Sequence, residues 1–191
     1  MNGIKFSLVL RKEPEVTYFF EDNQYRAFDL YEDEPYPISA IIELEDGKEI
    51  GQLSGYYLYN DNSFFERCNN VSAECSDIAK TICRKSGSVS PKYLSNADDQ
   101  IFILDRLEVD VDYRGKGIAS SILANLSKIL RYQFDFGSTI FLCASDYIAG
   151  KQYGFNSTQY NDNMDKLIRL YTKCGYKVID DNILGFWSND K

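Results

Sequence analysis

The segment Leu104–Leu130, LDRLEVDVDYRGKGIASSILANLSKIL, constrains the chain more than any other. Leu107, Val109 and Val111 alternate with Arg106, Glu108, Asp110 and Asp112, the period of two of a strand with one buried face. Arg114-Gly115-Lys116-Gly117 is too glycine-rich to continue it. The period then becomes helical, with Ala119, Ile122, Leu123, Leu126, Ile129 and Leu130 on one stripe. A strand, a glycine turn and a helix in this order make a place for an anion. The first N–H groups of a helix lack internal partners and carry the positive end of its dipole. Gly115 and Gly117 let a diphosphate approach the backbone, and Arg114 and Lys116 add full charges. The competing reading is a surface turn whose basic residues are simply solvated.

The rest of the chain supplies strands around this unit. Ile4–Leu10 alternates as a first strand. Val16–Phe20 and Gln24–Tyr31 are aromatic-rich and more strand-like than helical, and Glu32–Pro37, with two prolines, reads as a loop. Ile38–Leu44 and Glu49–Tyr59 form a hairpin around Glu45-Asp46-Gly47-Lys48, because Asp-Gly between apolar runs is a strong turn signal. Gly51 and Gly55 inside the second strand suggest a bulge or a close backbone approach. Asn60–Asn70 reads as a loop. A helix follows over Ser72–Lys85, with Cys75, Ile78, Ala79, Ile82 and Cys83 as its stripe and Gly87 as its C-terminal cap. Ser88–Gln100 is irregular.

Beyond the central unit, Thr139–Ala144 is a short buried strand, parallel to residues 101–111 through the intervening helix. Ser145–Asn161 shows no periodicity. Met164, Leu167, Ile168 and Tyr171 mark a helix ending near Cys174 and Gly175, and Tyr176–Asp180 and Ile183–Ser188 close the chain as paired strands. The expected class is α/β (or α+β): a mixed sheet with helices on its faces, in one domain spanning 1–191.

Composition narrows the function classes. The net charge of −8 disfavours nonspecific nucleic-acid binding and suits a cationic partner. The absence of histidine removes the commonest general base and the commonest zinc ligand, and no metal site is expected. Cys68, Cys75, Cys83, Cys143 and Cys174 form no CxxC pair, so reduced and mostly buried thiols are expected. The N-terminal apolar run is too short for a signal peptide and no stretch is long enough to span a bilayer, which points to the cytoplasm and away from membranes. Residues 116–121, GKGIAS, lack the spacing of a nucleotide phosphate loop.

Val109–Ala119, VDVDYRGKGIA, resembles the signature of the GNAT superfamily of acyl-CoA N-acyltransferases, Arg/Gln-x-x-Gly-x-Gly/Ala, through Arg114, Gly117 and Ala119. Leu170–Tyr176, LYTKCGY, resembles the later LYxKxGF element of that family. The resemblance covers residues ~101–188 and implies a mixed, mostly antiparallel sheet of about seven strands, open between the fourth and fifth. Acetyl-CoA would lie in that opening as acyl donor. Backbone at Leu107 and Val109 would pair with its pantetheine arm, and Val111 with Arg114, Gly115, Lys116, Gly117, Ile118 and Ala119 would hold its diphosphate. An amine-bearing acceptor, either a small molecule or a protein lysine or N-terminus, would take the acetyl group by direct attack. The oxyanion donor would be a backbone N–H near a bulge on the fourth strand.

By the same resemblance Tyr171 is the acid for the leaving thiolate, with a core-filling aromatic as the alternative. The base stays open. Asp105, assigned the strand parity of Leu107 and Val109, is one candidate; water chains are another; and the glutamate position of the histone-modifying branch falls on Ile103. Three departures stand out. Residues 11–37 lack the family's helical stripe, and a helix at 72–85 replaces it within an atypical insertion at about 60–100, from which the acceptor wall would be rebuilt. The family's asparagine position falls on Met164, next to Asn163. The missing base glutamate and the rebuilt acceptor wall motivate a second reading, a non-catalytic CoA-binding or protein-interaction module, beside the leading one of an N-acetyltransferase. Fifteen tyrosines are compatible with a homodimer interface or with a polar-capped core.

Overall fold

The computed structural model describes residues 6–11, 34–95, 100–134 and 139–187. The strand expectations at Val16–Phe20 and Gln24–Tyr31 lie outside them. Seven strands form one sheet: β1 (Phe6–Arg11), β2 (Tyr36–Leu44), β3 (Glu49–Tyr59), β4 (Gln100–Val109), β5 (Thr139–Cys143), β6 (Lys177–Asp180) and β7 (Ile183–Phe186). Their spatial order is β1-β2-β3-β4-β5-β7-β6. Only β4 and β5 run parallel, and the other neighbours are antiparallel. Helix α3 (Ile118–Phe134) makes the crossover between those two strands.

The sheet is apolar on both faces, so both must be covered. On one face Phe102, Leu104, Leu53, Ile140 and Leu142 pack with Ile118, Ile122, Leu123, Leu126 and Leu130 of α3 and with Met164 of α5 (Thr158–Lys173). Ile101, Ile103, Phe141 and Leu58 point the other way, onto α1 (Phe64–Val71) and α2 (Ala73–Ile82). The helical cover of this second face is therefore inserted between β3 and β4. Ser72 separates its two helices, and its hydroxyl caps α2 by accepting from the Cys75 N–H at 3.1 Å. Arg67, buried in α1, donates to the Tyr59 carbonyl and to Asp61 and ties the insertion to the end of β3.

Several boundaries differ from the sequence reading. Asn60–Asn70 holds all but the last residue of α1, whose Phe64, Phe65, Cys68 and Val71 recur at helical spacing but over only two turns, set in a polar stretch. Ser145–Asn161 contains α4 (Tyr147–Tyr153), which is held by the Asp146 cap at 2.9 Å from the Ala149 N–H rather than by amphipathic pattern. Tyr36 and Pro37 belong to β2, not to a loop. Gly87 closes a turn on the Arg84 carbonyl beyond α2, whose own cap is the extended residue Cys83. Among the described residues no helix is long and apolar enough to cross a membrane.

Candidate acyl-transfer site

The β4–β5 pairing begins at Ile101↔Thr139 and stops at Leu104↔Leu142. β4 continues to Val109, pairing from there on with β3 alone. The sheet thus opens on the β5 side of residues 105–109, as the resemblance implies. The opening starts at a β-bulge. Gly55 opposes Leu104 and Ser54 opposes Arg106, leaving Asp105 with no opposite residue on β3. Gly55 is required here. A Cβ at that position would run into the Phe102 ring and the Ile103 carbonyl oxygen, so the two strands approach closely just before the bulge.

The bulge shifts the phase of β4. Leu107 and Val109 join Phe102 and Leu104 on the α3 face. Asp105 does not share that parity, contrary to the sequence reading. Its carboxylate accepts from the Ser54 hydroxyl at 3.4 Å, and together with burial it pushes the Tyr56 hydroxyl up, both on the face that carries α1 and α2. Asp105 is exposed. Val111 also departs from expectation. The Asp110 N–H bonds to the Ile50 carbonyl at 2.8 Å, the strand ends at Val109, and Val111 opens a short 3-10 turn through Tyr113 with its side chain 73% exposed.

The turn then delivers the chain to α3. Arg114 Nε donates to the Val109 carbonyl at 2.8 Å, which fixes the guanidinium against the end of β4. Gly115 and Gly117 have φ of +72° and +84°, the left-handed region that favours glycine. A Cβ on either would meet nothing within 4 Å, so space stands open above both. The Ser121 N–H bonds back to the Gly117 carbonyl at 2.9 Å, which makes Gly117 the residue from which α3 starts. Ile118 is buried in the core and can offer a ligand only its backbone; the same holds for Val109. These features fit a diphosphate: free amides at a helix start, bare backbone and two cations.

A further cation was not legible from the motif. The register Gly51↔Val109 carries the β2–β3 hairpin to the same end of the sheet. Lys48 Nζ there donates to the Tyr113 hydroxyl at 3.1 Å, a bond that raises the lysine above its ordinary pKa. Lys48 and Lys116 place their ammonium groups 5.1 and 4.9 Å from the centre of the Tyr113 ring. Asp-Gly in the hairpin signals the turn, but only the cross-strand register says where its tip lands.

Tyr171 lies on α5, half-buried against the α3-face core, with its ring 5.9 Å from that of Tyr176. Burial, with smaller contributions from the thiols of Cys143 and Cys174, pushes its hydroxyl up to about 12. Cys143 is the last residue of β5, one past the final pair with β4. The tyrosine therefore keeps its proton at neutral pH. Met164 is core, and Asn163 is taken up by Asp146 at 2.9 Å. Burial raises the thiols of Cys143 and Cys83 to about 11, and no cysteine is bonded to another. Among the described residues no group of carboxylates and thiols is placed to hold a metal ion.

No protein-family model matches the sequence, and no curated protein matches it. Solved structures do. Arylalkylamine N-acetyltransferase 2 from Aedes aegypti is similar at 17% identity and a TM-score of 0.45, over 78% of this chain and 72% of that one. A chimera of the Vibrio cholerae spermidine N-acetyltransferase SpeG with hSSAT is similar at 11% identity and a TM-score of 0.42, over 94% and 95%. The Vibrio cholerae enzyme in complex with CoA and spermine is similar at 12% identity and a TM-score of 0.39; this chain covers 64% of its length and 78% of its own. A mostly antiparallel seven-stranded sheet that opens between its fourth and fifth strands is the architecture that the turn and helix motifs implied.

Proposed function

We propose that this chain is a GNAT-type N-acetyltransferase that moves an acetyl group from acetyl-CoA to a primary amine. One observation carries the reading: β4 parts from β5 at the residue where it bulges, and the same strand runs on into the open glycine turn at the start of α3. A strand edge, a bulge amide and an anion cradle are then in line along one segment. The exposed edge of residues 105–109 would pair with the pantetheine arm as an added strand would. Gly115, Lys116, Gly117, Ile118 and Ala119, with Arg114, would hold the diphosphate.

The thioester supplies the acyl group. The two titratable groups then serve opposite faces of the opening. Asp105, on the α1/α2 face, takes a proton from the incoming ammonium, directly or through water, so that the free amine attacks the thioester carbon. A backbone N–H at the bulge steadies the oxyanion. When the C–S bond breaks, the sulfur takes the Tyr171 proton on the α3/α5 face, and the excess proton on the new amide nitrogen passes through water to restore the tyrosine.

Calorimetric titration with CoA, followed by thiol release from acetyl-CoA against a panel of primary amines, tests the proposal. Micromolar binding with amine-dependent release supports it. Failure to bind CoA refutes the site. Binding without release for any amine favours the CoA-binding module instead.

A further inference from the structure

The glycine turn accounts for one anionic group, yet the cations at this end of the sheet extend past it. β3 and β5 flank β4 on opposite sides, so the hairpin that carries Lys48 lies across β4 from the opening. Lys48 and Lys116 are drawn to one aromatic ring, 5.1 and 4.9 Å from its centre, in a chain whose net charge is −8. Among the described residues neither lysine, nor Arg114, forms an ion pair; Asp46 spends its Oδ1 on the Lys48 backbone N–H. The quadrupole of the ring offsets only part of the repulsion between two ammonium groups. A second cation held this way, at Tyr113 beside a diphosphate cradle that already contains Lys116, is matched by a ligand with a second, separate anionic centre.

We propose that Lys48, which shares the Tyr113 ring with Lys116, holds the 3′-phosphate on the ribose of the donor, so that the protein discriminates CoA from 3′-dephospho-CoA. This rests on the acyl-CoA reading above. CoA carries two anionic groups, the diphosphate and this monoester, separated by one ribose, and the chain offers two cationic groups separated by one tyrosine. Lys48 is a specificity-determining residue with no part in the proton transfers.

The test is calorimetric binding of CoA and of 3′-dephospho-CoA to the wild-type protein, Lys48→Met and Lys48→Arg at low ionic strength. The lysine is exposed at a hairpin tip, and matching melting curves confirm that the variants fold. The wild type should prefer CoA by about tenfold, the scale of one charge-assisted phosphate contact. Lys48→Met should lose that preference through weaker CoA binding alone, Lys48→Arg should keep most of it, and added salt should shrink it. Equal wild-type affinity for the two ligands, or a Lys48→Met loss of the same factor for both, overturns the inference and leaves the acyl-CoA site standing. A wild type that binds neither ligand overturns both.

Discussion

Gly117→Ala separates what the turn does for folding from what it does for a ligand. At φ +84° an L residue costs about 1–2 kcal/mol, because its Cβ crowds the following carbonyl. No other cost is expected, since the added methyl meets nothing within 4 Å. A chain of this length loses about 2–4 °C in Tm per kcal/mol, so the variant should melt about 2–8 °C lower and remain folded. The methyl does, however, fill the space in which a diphosphate would lie on the amides at the start of α3. Losing one charge-assisted contact there weakens CoA binding by about 10- to 150-fold. Gly154→Ala is the control: it sits at φ +90° with equally open surroundings at the end of α4. Its ψ of 140° lies in a region open essentially to glycine alone, so it should lose at least as much stability, yet bind CoA like the wild type. Differential scanning calorimetry and titration calorimetry read the two quantities separately. If Gly117→Ala melts as expected and binds CoA with unchanged affinity, the diphosphate does not lie on this turn.

Four other outcomes follow from the same geometry. Gly55→Ala should cost about 3 kcal/mol in urea unfolding, since its Cβ would collide with the Phe102 ring and the Ile103 carbonyl beside the bulge; a neutral result would show that the strands can separate there. Tyr171→Phe should lower kcat about 100-fold with KM within about twofold, and an unchanged kcat would reduce the residue to core packing. Because the folded protein holds the Tyr171 proton up to about 12 while the unfolded chain releases it near 10, stability is complete below pH 10 and declines between pH 10 and 12. Urea melts should show a shallower decline in the phenylalanine variant, and identical slopes would refute the raised pKa. Arg67→Met should cost about 1–3 kcal/mol by removing charged hydrogen bonds to Tyr59 and Asp61, with Asp61 itself half-exposed and easily rehydrated; loss of less than about 0.5 kcal/mol would show that α1 is held by Phe64 and Cys68 alone.

The parts of the fold that could be read from sequence are those where a single local rule suffices. Asp-Gly fixed the β2–β3 hairpin, the stripe from Ile122 to Leu130 fixed α3, and Met164 to Tyr171 fixed α5. α4 depends on one capping carboxylate, and the helical period of α1 lasts only two turns, too short to stand out from its polar neighbours. The reach of Lys48 to Tyr113 is a matter of register between strands about fifty residues apart, and no local pattern encodes it.

The phase of β4 has the largest consequence for function. Ile101–Leu104 is buried on both faces, between the α3 layer and the α1/α2 layer, so its four apolar residues carry no alternation from which to count. Counting back from Leu107 and Val109 puts Asp105 on their side. The extra residue at the bulge moves it across the sheet, to the Ser54 hydroxyl. A parity argument holds only while the ladder is regular, and function is often placed where it is not. In the proposed reaction the irregularity would have a chemical use. With Asp105 and Tyr171 on one face, the proton leaving the amine and the proton reaching the sulfur would share one crowded side of the opening. With the bulge, the carboxylate lies on the face of the inserted helices while Tyr171 packs against the α3-face core, so in the proposed reaction the two proton transfers would flank the acyl carbon from opposite sides. The double variant Asp105→Asn/Tyr171→Phe decides this arrangement. If each group serves its own step, the double variant should be worse than either single variant in amine-dependent turnover. If Asp105→Asn leaves the pH profile and kcat unchanged in the wild-type background, water alone removes the ammonium proton and the bulge serves only its amide.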